Sequence, residues 1–367
     1  YSYNLNYGEI KNKNSINLNC SKKLHNNAHK YKNDYIDQVS SMKKYFSNYN
    51  FKFKYSIFHL TDLSCKRTEF LNSFLFLCHL ASIREIIHSK KINLIELIDC
   101  PKEFLNSLNN FFNGNIRLNN SILILVKNKY LNYYKLVSQI HFFIKMIIIY
   151  FFLYFFYKKK KIIFKNKIFF SSYPKNFDFN AHIKYGKLVD KNDTYILSLI
   201  TDGIHQNLSI YNYFNYFFKL RRGNNFNNYV ISDAFIKFKD ILNFLPIIFN
   251  INQISNFNIS DHHIDNINIS NLLKYDLKLS LFRLPRLLTV SPSFERIANL
   301  INYQVDLYYY LFEYSFGRML NNSFIDNPNI NRIGFQHGPS GPLKLVCFTS
   351  KNDFNQKIIN SINLPNS

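Results

Sequence analysis

The sequence predicts an α/β fold with two Rossmann-like units. Strand-like and helix-like segments alternate in two stretches of the chain, which is typical of parallel sheets covered by helices. Hydrophobic residues make up 47% of the 367 residues, so a sizeable core can form. A cluster of glycine and proline follows the last predicted strand, at the edge where open α/β sheets bind ligands. We divide the chain into four parts, which cover residues 1–50, 51–135, 136–165 and 166–367.

The chain is strongly basic, with a formal net charge of +23, and it is rich in Asn, Ile, Lys, Phe and Tyr. A basic surface indicates a polyanionic partner such as nucleic acid or an anionic membrane. These five amino acids also share AT-rich codons, so an AT-rich genome would raise the lysine content without any partner. Because the basic residues are scattered along the chain, we expect no specific nucleic-acid recognition.

The five cysteines are widely spaced and form no CxxC pair. This pattern disfavours a disulfide framework and a structural zinc site, and it fits a reducing compartment. The chain starts with Tyr1 instead of Met and shows no signal-peptide pattern. We expect it to be a fragment or a processed piece of a cytoplasmic protein.

Residues 1–50 are polar and rich in Asn and Lys, and we expect them to be loosely ordered or peripheral. Residues 51–135 are predicted as an N-terminal α/β domain. Its elements are a β-like run, an amphipathic helix, a buried strand, a short helix and a final strand. In that order they occupy Lys54–Leu60, Cys65–Lys90, Ile92–Asp99, Pro101–Phe112 and Ser121–Asn128.

Residues 136–165 are predicted as a membrane-associated linker. Ile140–Tyr157 is an apolar, aromatic run about as long as the shortest bilayer span of roughly 17 residues, and Lys158–Lys161 follows it. His141 and Lys145 interrupt the run, so an interfacial helix with a basic anchor, a spanning helix and a buried core helix all fit it. We expect this segment to hold the protein at an anionic membrane, peripheral to its cytoplasmic face.

Residues 166–367 are predicted as a second α/β region, which ends in the glycine-rich turn. Three strands are expected, within Lys161–Pro174, Asp193–Ile200 and Asn227–Phe235. A helical stretch broken by a proline, a polar loop, a long helical region and a last short strand follow them. These are marked by Pro246, 251–275, Pro292–Phe324 and Asn329–Phe335.

The stretch RIGFQHGPSGPL, Arg332–Leu343, contains three of the chain's 9 glycines. Gly334 and Gly338 let the backbone approach a ligand closely, and the N–H groups of such a turn can hold phosphate. The histidine of the turn can also move a proton near neutral pH. Hydrogen bonds to a substrate would come from the polar side chains of Gln336, His337 and Ser340. The alternative interpretation is a structural loop with a surface histidine.

A carboxylate and a guanidinium lie in the aromatic segment before this strand. Glu313 follows the run LYYYL, where desolvation by aromatic rings would raise its pKa and suit it to general acid or base catalysis. Arg318 can pair with Glu313 or bind an anion. A solvated helix face with a Glu–Arg pair is the alternative.

Two further polar segments are weaker candidates. SDHHID, Ser260–Asp265, contains adjacent histidines, but this spacing is uncommon in shared metal ligation, so we expect no metal site. HLTDLSCKRTEF, His59–Phe70, is either a substrate-side loop or the start of a helix capped by Asp62 or Ser64. The sequence contains no P-loop, GxSxG, HExxH, kinase or GxGxxG motif, so a nicotinamide enzyme is not supported.

The segments EYSFGRML and NINRIGFQHGPSGPLKL resemble bacterial surface-carbohydrate biosynthesis proteins. That group includes glycosyltransferases of capsule and lipopolysaccharide assembly, in which a Glu-containing aromatic helix precedes a strand ending in a G-[FY]-Q-H-[GS] loop. The matching positions here are Glu313, Gly334, Phe335, Gln336, His337 and Gly338. Looser similarity extends over residues 50–345.

The resemblance implies a GT-B-like arrangement, in which a nucleotide-sugar cleft lies between two Rossmann-like domains. It implies transfer of a sugar from a nucleotide donor to a lipid-linked or growing glycan, with His337 or Glu313 as the base and no further cofactor. The sequence departs from the pattern at Phe316–Gly317, where Trp–Glu is common in relatives. It also stops about thirty residues after His337, so we expect an incomplete donor domain.

Two other functions remain open from the sequence. A basic organellar ribosomal or ribonucleoprotein component would fit the AT-rich composition, the positive charge and the many aromatic residues. A membrane-associated assembly protein without catalysis would fit the apolar run at Ile140–Tyr157. The scattered charges and this apolar run both favour the glycosyltransferase over the ribonucleoprotein.

Overall fold

A computed structural model of the chain describes residues 2–4, 21–46, 57–68, 71–98, 100–119, 122–157, 166–171, 185, 188–189, 193–200, 209–223, 226–255, 259, 262–310, 314–335 and 341–351. Within these ranges it contains two parallel sheets and one short antiparallel hairpin. Helices flank the larger sheet, so the predicted α/β class is confirmed.

The smaller sheet has three parallel strands. β1 (Ser2–Asn4) and β3 (Asn115–Asn119) pair on either side of β2 (Leu94–Ile98). Ile95 and Leu97 occupy alternate positions of β2 and are both buried, which is the period-two pattern of a strand with one covered face. The helices of this part of the chain are α1 (Ser21–Ser41), α2 (Ser73–Ser89), α3 (Lys102–Asn109) and the 35-residue α4 (Ile122–Phe156).

The larger sheet has five parallel strands. In chain order they are β4 (Lys167–Ser171), β5 (Thr194–Ser198), β6 (Tyr229–Ile231), β9 (Val305–Tyr310) and β10 (Ile330–Phe335), while β7 (His263–Ile264) and β8 (Ile267–Asn268) form the separate hairpin. The spatial order is β10-β9-β4-β5-β6, so the chain starts in the middle, builds one half and then returns to build the other. This is the strand order of a doubly wound sheet.

The described ranges contain six more helices beside these strands. They are α5 (Ile210–Arg222), α6 (Phe238–Leu242), α7 (Phe244–Ser255), α8 (Ser270–Ser280), α9 (Leu284–Ala298) and α10 (Ser315–Phe324). α8 packs against α2 and α3, and the β7–β8 hairpin contacts α1 and α2. The β7–β8 hairpin and α8, which come late in the chain, therefore complete the core around the first three helices. One hydrophobic cluster of buried side chains runs through both parts of the molecule.

Two segments that were not predicted as helices are helical. Residues 21–41, within the region expected to be loosely ordered, form α1 because Tyr31, Tyr35 and Val39 repeat every fourth position and bury one helix face. The strand predicted at Ser121–Asn128 is wrong, because this run continues without glycine or proline into the next apolar segment and forms the start of α4. α4 consequently crosses the predicted boundary between residues 135 and 136.

Other observed helix and strand boundaries differ from the predicted ones, because a short apolar run can form either a strand or a helix. The described part of Lys54–Leu60 is a 3-10 turn, and the helix predicted over Cys65–Lys90 begins only at Ser73. The region Pro292–Phe324 is not continuously helical, since β9 lies between α9 and α10. The predicted polar loop over 251–275 includes the end of α7, the hairpin and the start of α8.

Several predictions hold. Strands lie within Ile92–Asp99, Lys161–Pro174, Asp193–Ile200, Asn227–Phe235 and Asn329–Phe335, and a short helix follows Pro101. The helical stretch near Pro246 is interrupted at Asn243, between α6 and α7. The proline itself lies in the first turn of α7, where a missing backbone N–H costs nothing.

Candidate functional site

The predicted site segments follow β9 and β10 in the sequence, and both strands end at the carboxyl edge of the larger sheet. β4 and β9 are neighbours in the sheet, and the chain leaves them toward opposite halves, so their carboxyl ends mark the topological switch point. Gly334 pairs with Tyr309 in the register of β10 and β9. In the sequence, Glu313 follows β9 and residues 336–340 follow β10, and these two parallel strands end at the same edge of the sheet.

Five of the predicted site residues lie outside the described residues: Glu313, Gln336, His337, Gly338 and Ser340. Gly334 and Arg318 are described. Gly334 lies in β10, one residue before the carboxyl end of the strand. Phe335, which ends the strand, contacts Tyr185 and Tyr308 with ring centroids 5.5 and 6.0 Å apart. These aromatic contacts fix the point from which the turn departs.

Arg318 is buried in the first turns of α10. The preceding Phe316 packs on Phe170 of β4, with ring centroids 5.1 Å apart, which ties the start of α10 to the switch point. The Arg318 guanidinium donates hydrogen bonds to the carbonyl oxygen of His59, at 3.3 Å, and to Ser64 Oγ, at 3.1 Å. Arg318 therefore joins α10 to a segment more than 250 residues earlier in the chain.

The earlier segment, residues 57–68, is a compact turn held by its own hydrogen bonds. Thr61 Oγ1 donates to the Phe58 carbonyl oxygen and accepts from the Ser64 backbone N–H. Ser64 Oγ donates to the Thr61 carbonyl oxygen. Lys66 has a φ of 52°, a conformation that non-glycine residues adopt at a cost, and its ammonium donates to the Ser64 carbonyl oxygen. The turn thus holds its polar side chains in fixed positions against α10.

Asp62 links this turn to two other parts of the chain. Its carboxylate lies 3.4 Å from Arg67 and 3.7 Å from Arg283, and it accepts a hydrogen bond from Ser315 Oγ at 3.0 Å. The Arg67 guanidinium also stacks over the ring of Tyr314, 4.4 Å from its centroid. Asp62 is thus neutralised by two guanidinium groups.

The described residues around this turn carry an excess of positive charge. We call Asp62, Lys66, Arg67, Arg283 and Arg318 the basic cluster: it contains four cations and one carboxylate. Apart from Arg283, whose side chain is 28% exposed, all of these side chains are buried. Guanidinium and ammonium groups are common partners of phosphate and carboxylate oxygens, so a cluster of this composition can bind an anion.

His59 lies beside the basic cluster in a small cavity, which is lined by Ser64, Lys66, Arg318 and Thr349 together with apolar side chains of α1. Burial lowers the pKa of His59 well below its usual value, and the charges of Arg318, Lys43 and Lys66 lower it further. The ring is therefore neutral at physiological pH. Within the described part of the chain, neither His59 Nε2 nor Arg318 Nε has a hydrogen-bond partner, although both atoms are buried.

Sequence reasoning identified the segment His59–Phe70 but not its role. The prediction that Asp62 or Ser64 caps a helix is wrong, because Asp276 of α8 accepts from the backbone N–H groups of Asn72 and Ser73 at the start of α2. Arg283 was not identified, since nothing in its local sequence marks it as a partner of Asp62. The tertiary contact alone shows this role.

The histidines of the segment Ser260–Asp265 have structural contacts. His262 Nδ1 lies 2.7 Å from Gln38 Oε1, and His262 Nε2 lies 3.3 Å from the hydroxyl of Tyr45. Asp265 forms ion pairs with Lys30 and Arg84. Within the described ranges, no group of three His, Cys, Asp or Glu side chains lies together as a potential metal site.

The basic cluster is therefore suited to binding an anion, and its position at the start of α10 adjoins the carboxyl ends of β4 and β9. Guanidinium and ammonium groups donate strong, charge-assisted hydrogen bonds to phosphate oxygens. Such groups also stabilise negative charge that develops on a leaving phosphate.

Comparison of the chain with protein-family models, with curated proteins and with solved structures found no match in any of the three.

Proposed function

We propose that this protein is a glycosyltransferase of surface-polysaccharide biosynthesis, which transfers a sugar from a nucleotide donor to a lipid-linked or growing glycan. The observation that carries the proposal is the buried guanidinium of Arg318, whose Nε has no hydrogen-bond partner among the described residues, next to the switch point of a parallel sheet. A nucleoside diphosphate is an anion of the right chemistry for such a place. The smaller and larger sheets would then correspond to the two Rossmann-like units of a GT-B-like arrangement.

The chemistry assigns a role to each part of the site. Sugar transfer needs a base for the acceptor hydroxyl and donors for the departing diphosphate. His337 or Glu313 supplies the base in this proposal, because each follows a strand that ends at the same sheet edge. Arg318 and Lys66 stabilise the diphosphate, while Gln336, Gly338 and Ser340 line the donor. These side chains supply the positive charge, so no cofactor beyond the donor is part of the proposal.

Binding of nucleoside diphosphates tests the proposal directly. Titration calorimetry with UDP, GDP and ADP should show saturable binding to at least one of them, and the matching nucleotide sugar should be hydrolysed or transferred. Arg318→Lys keeps the charge but removes the guanidinium donors, so it should weaken diphosphate binding by about tenfold, as for the loss of one charged hydrogen bond. Absence of binding to every nucleotide by a folded protein would reject the proposal.

A further inference from the structure

The outward face of α4 is apolar along most of its length. Its inner face is buried in the core through Phe142, Met146, Ile149 and Leu153. The opposite side carries six apolar residues at intervals of three and four, each between 37% and 72% exposed: Val137, Ile140, Ile144, Ile148, Phe151 and Phe155. This row extends about 27 Å along the helix. A helix on a water-exposed surface normally has polar residues there.

A second pair of helices extends this apolar surface. Phe238 and Leu242 of α6 and Leu245 and Phe249 of α7 are 38–70% exposed. Phe238 contacts Phe151 of α4, with ring centroids 6.3 Å apart, so the two sets of side chains are continuous. We call the row on α4 and these four residues the apolar face. A contiguous exposed apolar surface of this kind marks an interaction site.

The charges around the apolar face are almost all positive. α4, α5 and α7 contain no Asp or Glu, and the Asp240 carboxylate of α6 is buried and paired with Arg296. α5 packs on the end of α4 through Phe152 and Phe214, with ring centroids 4.3 Å apart. The described basic residues of this region are Lys219, Arg221 and Arg222 at the end of α5, and Lys237 and Lys239, which flank Phe238 of α6. In the sequence, Lys158–Lys161 follow α4 directly. This pattern complements an anionic lipid surface.

The packing of α4 shows whether this helix can cross the bilayer or can only lie in the membrane surface. The Leu136–Phe156 segment is long and apolar enough to span, but 33% of its hydrophobic window is buried inside the protein. Lys145 is fully buried, Gln139 donates to the Phe282 carbonyl oxygen at 2.6 Å, and Arg286 donates to Ser138. Since one side of α4 belongs to the protein core, only its other side can face lipid.

We infer that the apolar face lies in the plane of an anionic membrane, with α4 and α6–α7 both inserted to the depth of the acyl boundary. The basic residues at its border contact lipid phosphates. This surface involves none of the residues assigned to sugar transfer, so the inference does not rest on the proposed function. The sequence indicated membrane contact through residues 136–165, and the structure adds α6–α7 as a second contributor.

Vesicle flotation tests this inference. We expect the protein to float with vesicles of phosphatidylcholine and phosphatidylglycerol, and to bind pure phosphatidylcholine much less. High salt should weaken binding because it screens the charges. Replacement of Lys158–Lys161 by Gln should lower the partition coefficient by about fivefold for each lysine near the surface. Binding that ignores lipid charge would contradict the electrostatic part.

Single substitutions test each contributor. Ile144→Glu on α4 and Phe249→Glu on α7 should each reduce the vesicle-bound fraction by at least tenfold, because each places a charge at the acyl boundary. The matched control is Leu75→Glu, which changes an apolar residue of similar exposure on α2 and should leave binding unchanged. Circular dichroism checks that all three variants fold.

Three results would overturn the inference. If Phe249→Glu binds vesicles like the wild-type protein, α6 and α7 are not part of the membrane-binding surface. Failure of the wild-type protein to bind any vesicle would reject the membrane as partner. Formation of a dimer in light scattering, which Ile144→Glu dissociates while vesicles remain unbound, would identify a second copy of the chain as the partner.

Discussion

Lys66 combines an unfavourable backbone conformation with a place in the basic cluster. Its φ of 52° is in the left-handed region, which costs a non-glycine residue about 1–2 kcal/mol. The ammonium donates to the Ser64 carbonyl oxygen, and the side chain lines the cavity next to His59 and Arg318. Strain of this kind persists where the surrounding structure holds the residue in place, and it is common at binding sites.

Replacing Lys66 by Gly separates stability from binding. Lys66→Gly should leave the free energy of unfolding nearly unchanged, because relief of the left-handed φ is offset by loss of the buried side chain and its hydrogen bond to Ser64. It should also weaken diphosphate binding by about tenfold, since a charged donor is lost. Chemical denaturation and titration calorimetry measure the two effects.

Asn266 provides the control for this substitution. It has a φ of 63° in the turn of the β7–β8 hairpin and lies outside the basic cluster. Asn266→Gly also replaces a residue at positive φ, although asparagine tolerates this conformation better than lysine, and it should leave diphosphate affinity unchanged. Equal affinities of both variants and the wild type would show that Lys66 has only a structural role.

His337 is the residue on which the catalytic part of the proposal depends. His337→Ala should reduce sugar transfer by roughly 10²–10⁴-fold, the usual range for a positioned acid or base. His337→Gln should restore part of the rate if the ring only donates a hydrogen bond, and little if it moves a proton. A transfer assay with the matching nucleotide sugar measures this, and wild-type activity of His337→Ala would leave the turn a structural feature.

At the scale of elements, α2 begins at a carboxylate that belongs to α8. Asp276 accepts from the backbone N–H groups of Asn72 and Ser73, at 3.3 and 2.8 Å, and satisfies donors that the helix itself leaves unpaired. Tyr35 of α1 adds a hydrogen bond to Ser73 Oγ at 2.7 Å. Three helices from distant parts of the chain are thus joined at one buried point.

Burial raises the pKa of Asp276 to about 6, from the ordinary value of 3.8. The folded protein therefore holds this proton more tightly than the unfolded chain does, and the stability that this carboxyl contributes falls as the pH rises from about 4 to about 6. Asp276→Asn keeps an acceptor but cannot ionise, so its stability relative to wild type should increase over this range by roughly 3 kcal/mol. Urea denaturation of both proteins across this pH range measures the difference, and a constant difference would contradict the raised pKa.

At the scale of the whole molecule, one buried cluster connects the two sheets, and α8 with the hairpin packs on the first three helices. Removing either part would expose apolar side chains of the other. We therefore expect the protein to unfold in a single cooperative transition. Far-UV circular dichroism and the fluorescence of its 27 tyrosines should give the same midpoint in urea. Two separated transitions would show that the sheets belong to independent domains.

The elements that the sequence predicts correctly depend on local signals. β2, β4, β5 and β10 are short apolar runs between polar or turn-forming residues, and the helix after Pro101 begins at a proline. β9 was missed because its run VDLYYY lies between two helices and has no glycine or proline within five residues on either side to separate it. α1 was missed because its five buried aromatic and aliphatic residues lie among many Asn and Lys residues.

The same distinction between local signals and tertiary contacts applies to the candidate site and to the molecule as a whole. The sequence by itself determined the α/β class and the apolar character of α4, and it placed a glycine-rich segment after the last strand, since composition and spacing express these features along the chain. Only the tertiary structure decided the strand order, the covered side of α4 and the basic cluster. Asp62 and Ser315 are 253 positions apart, and their contact depends on how two buried surfaces fit together. Close packing fixes such contacts through the shape of the whole core, which short-range sequence patterns do not encode.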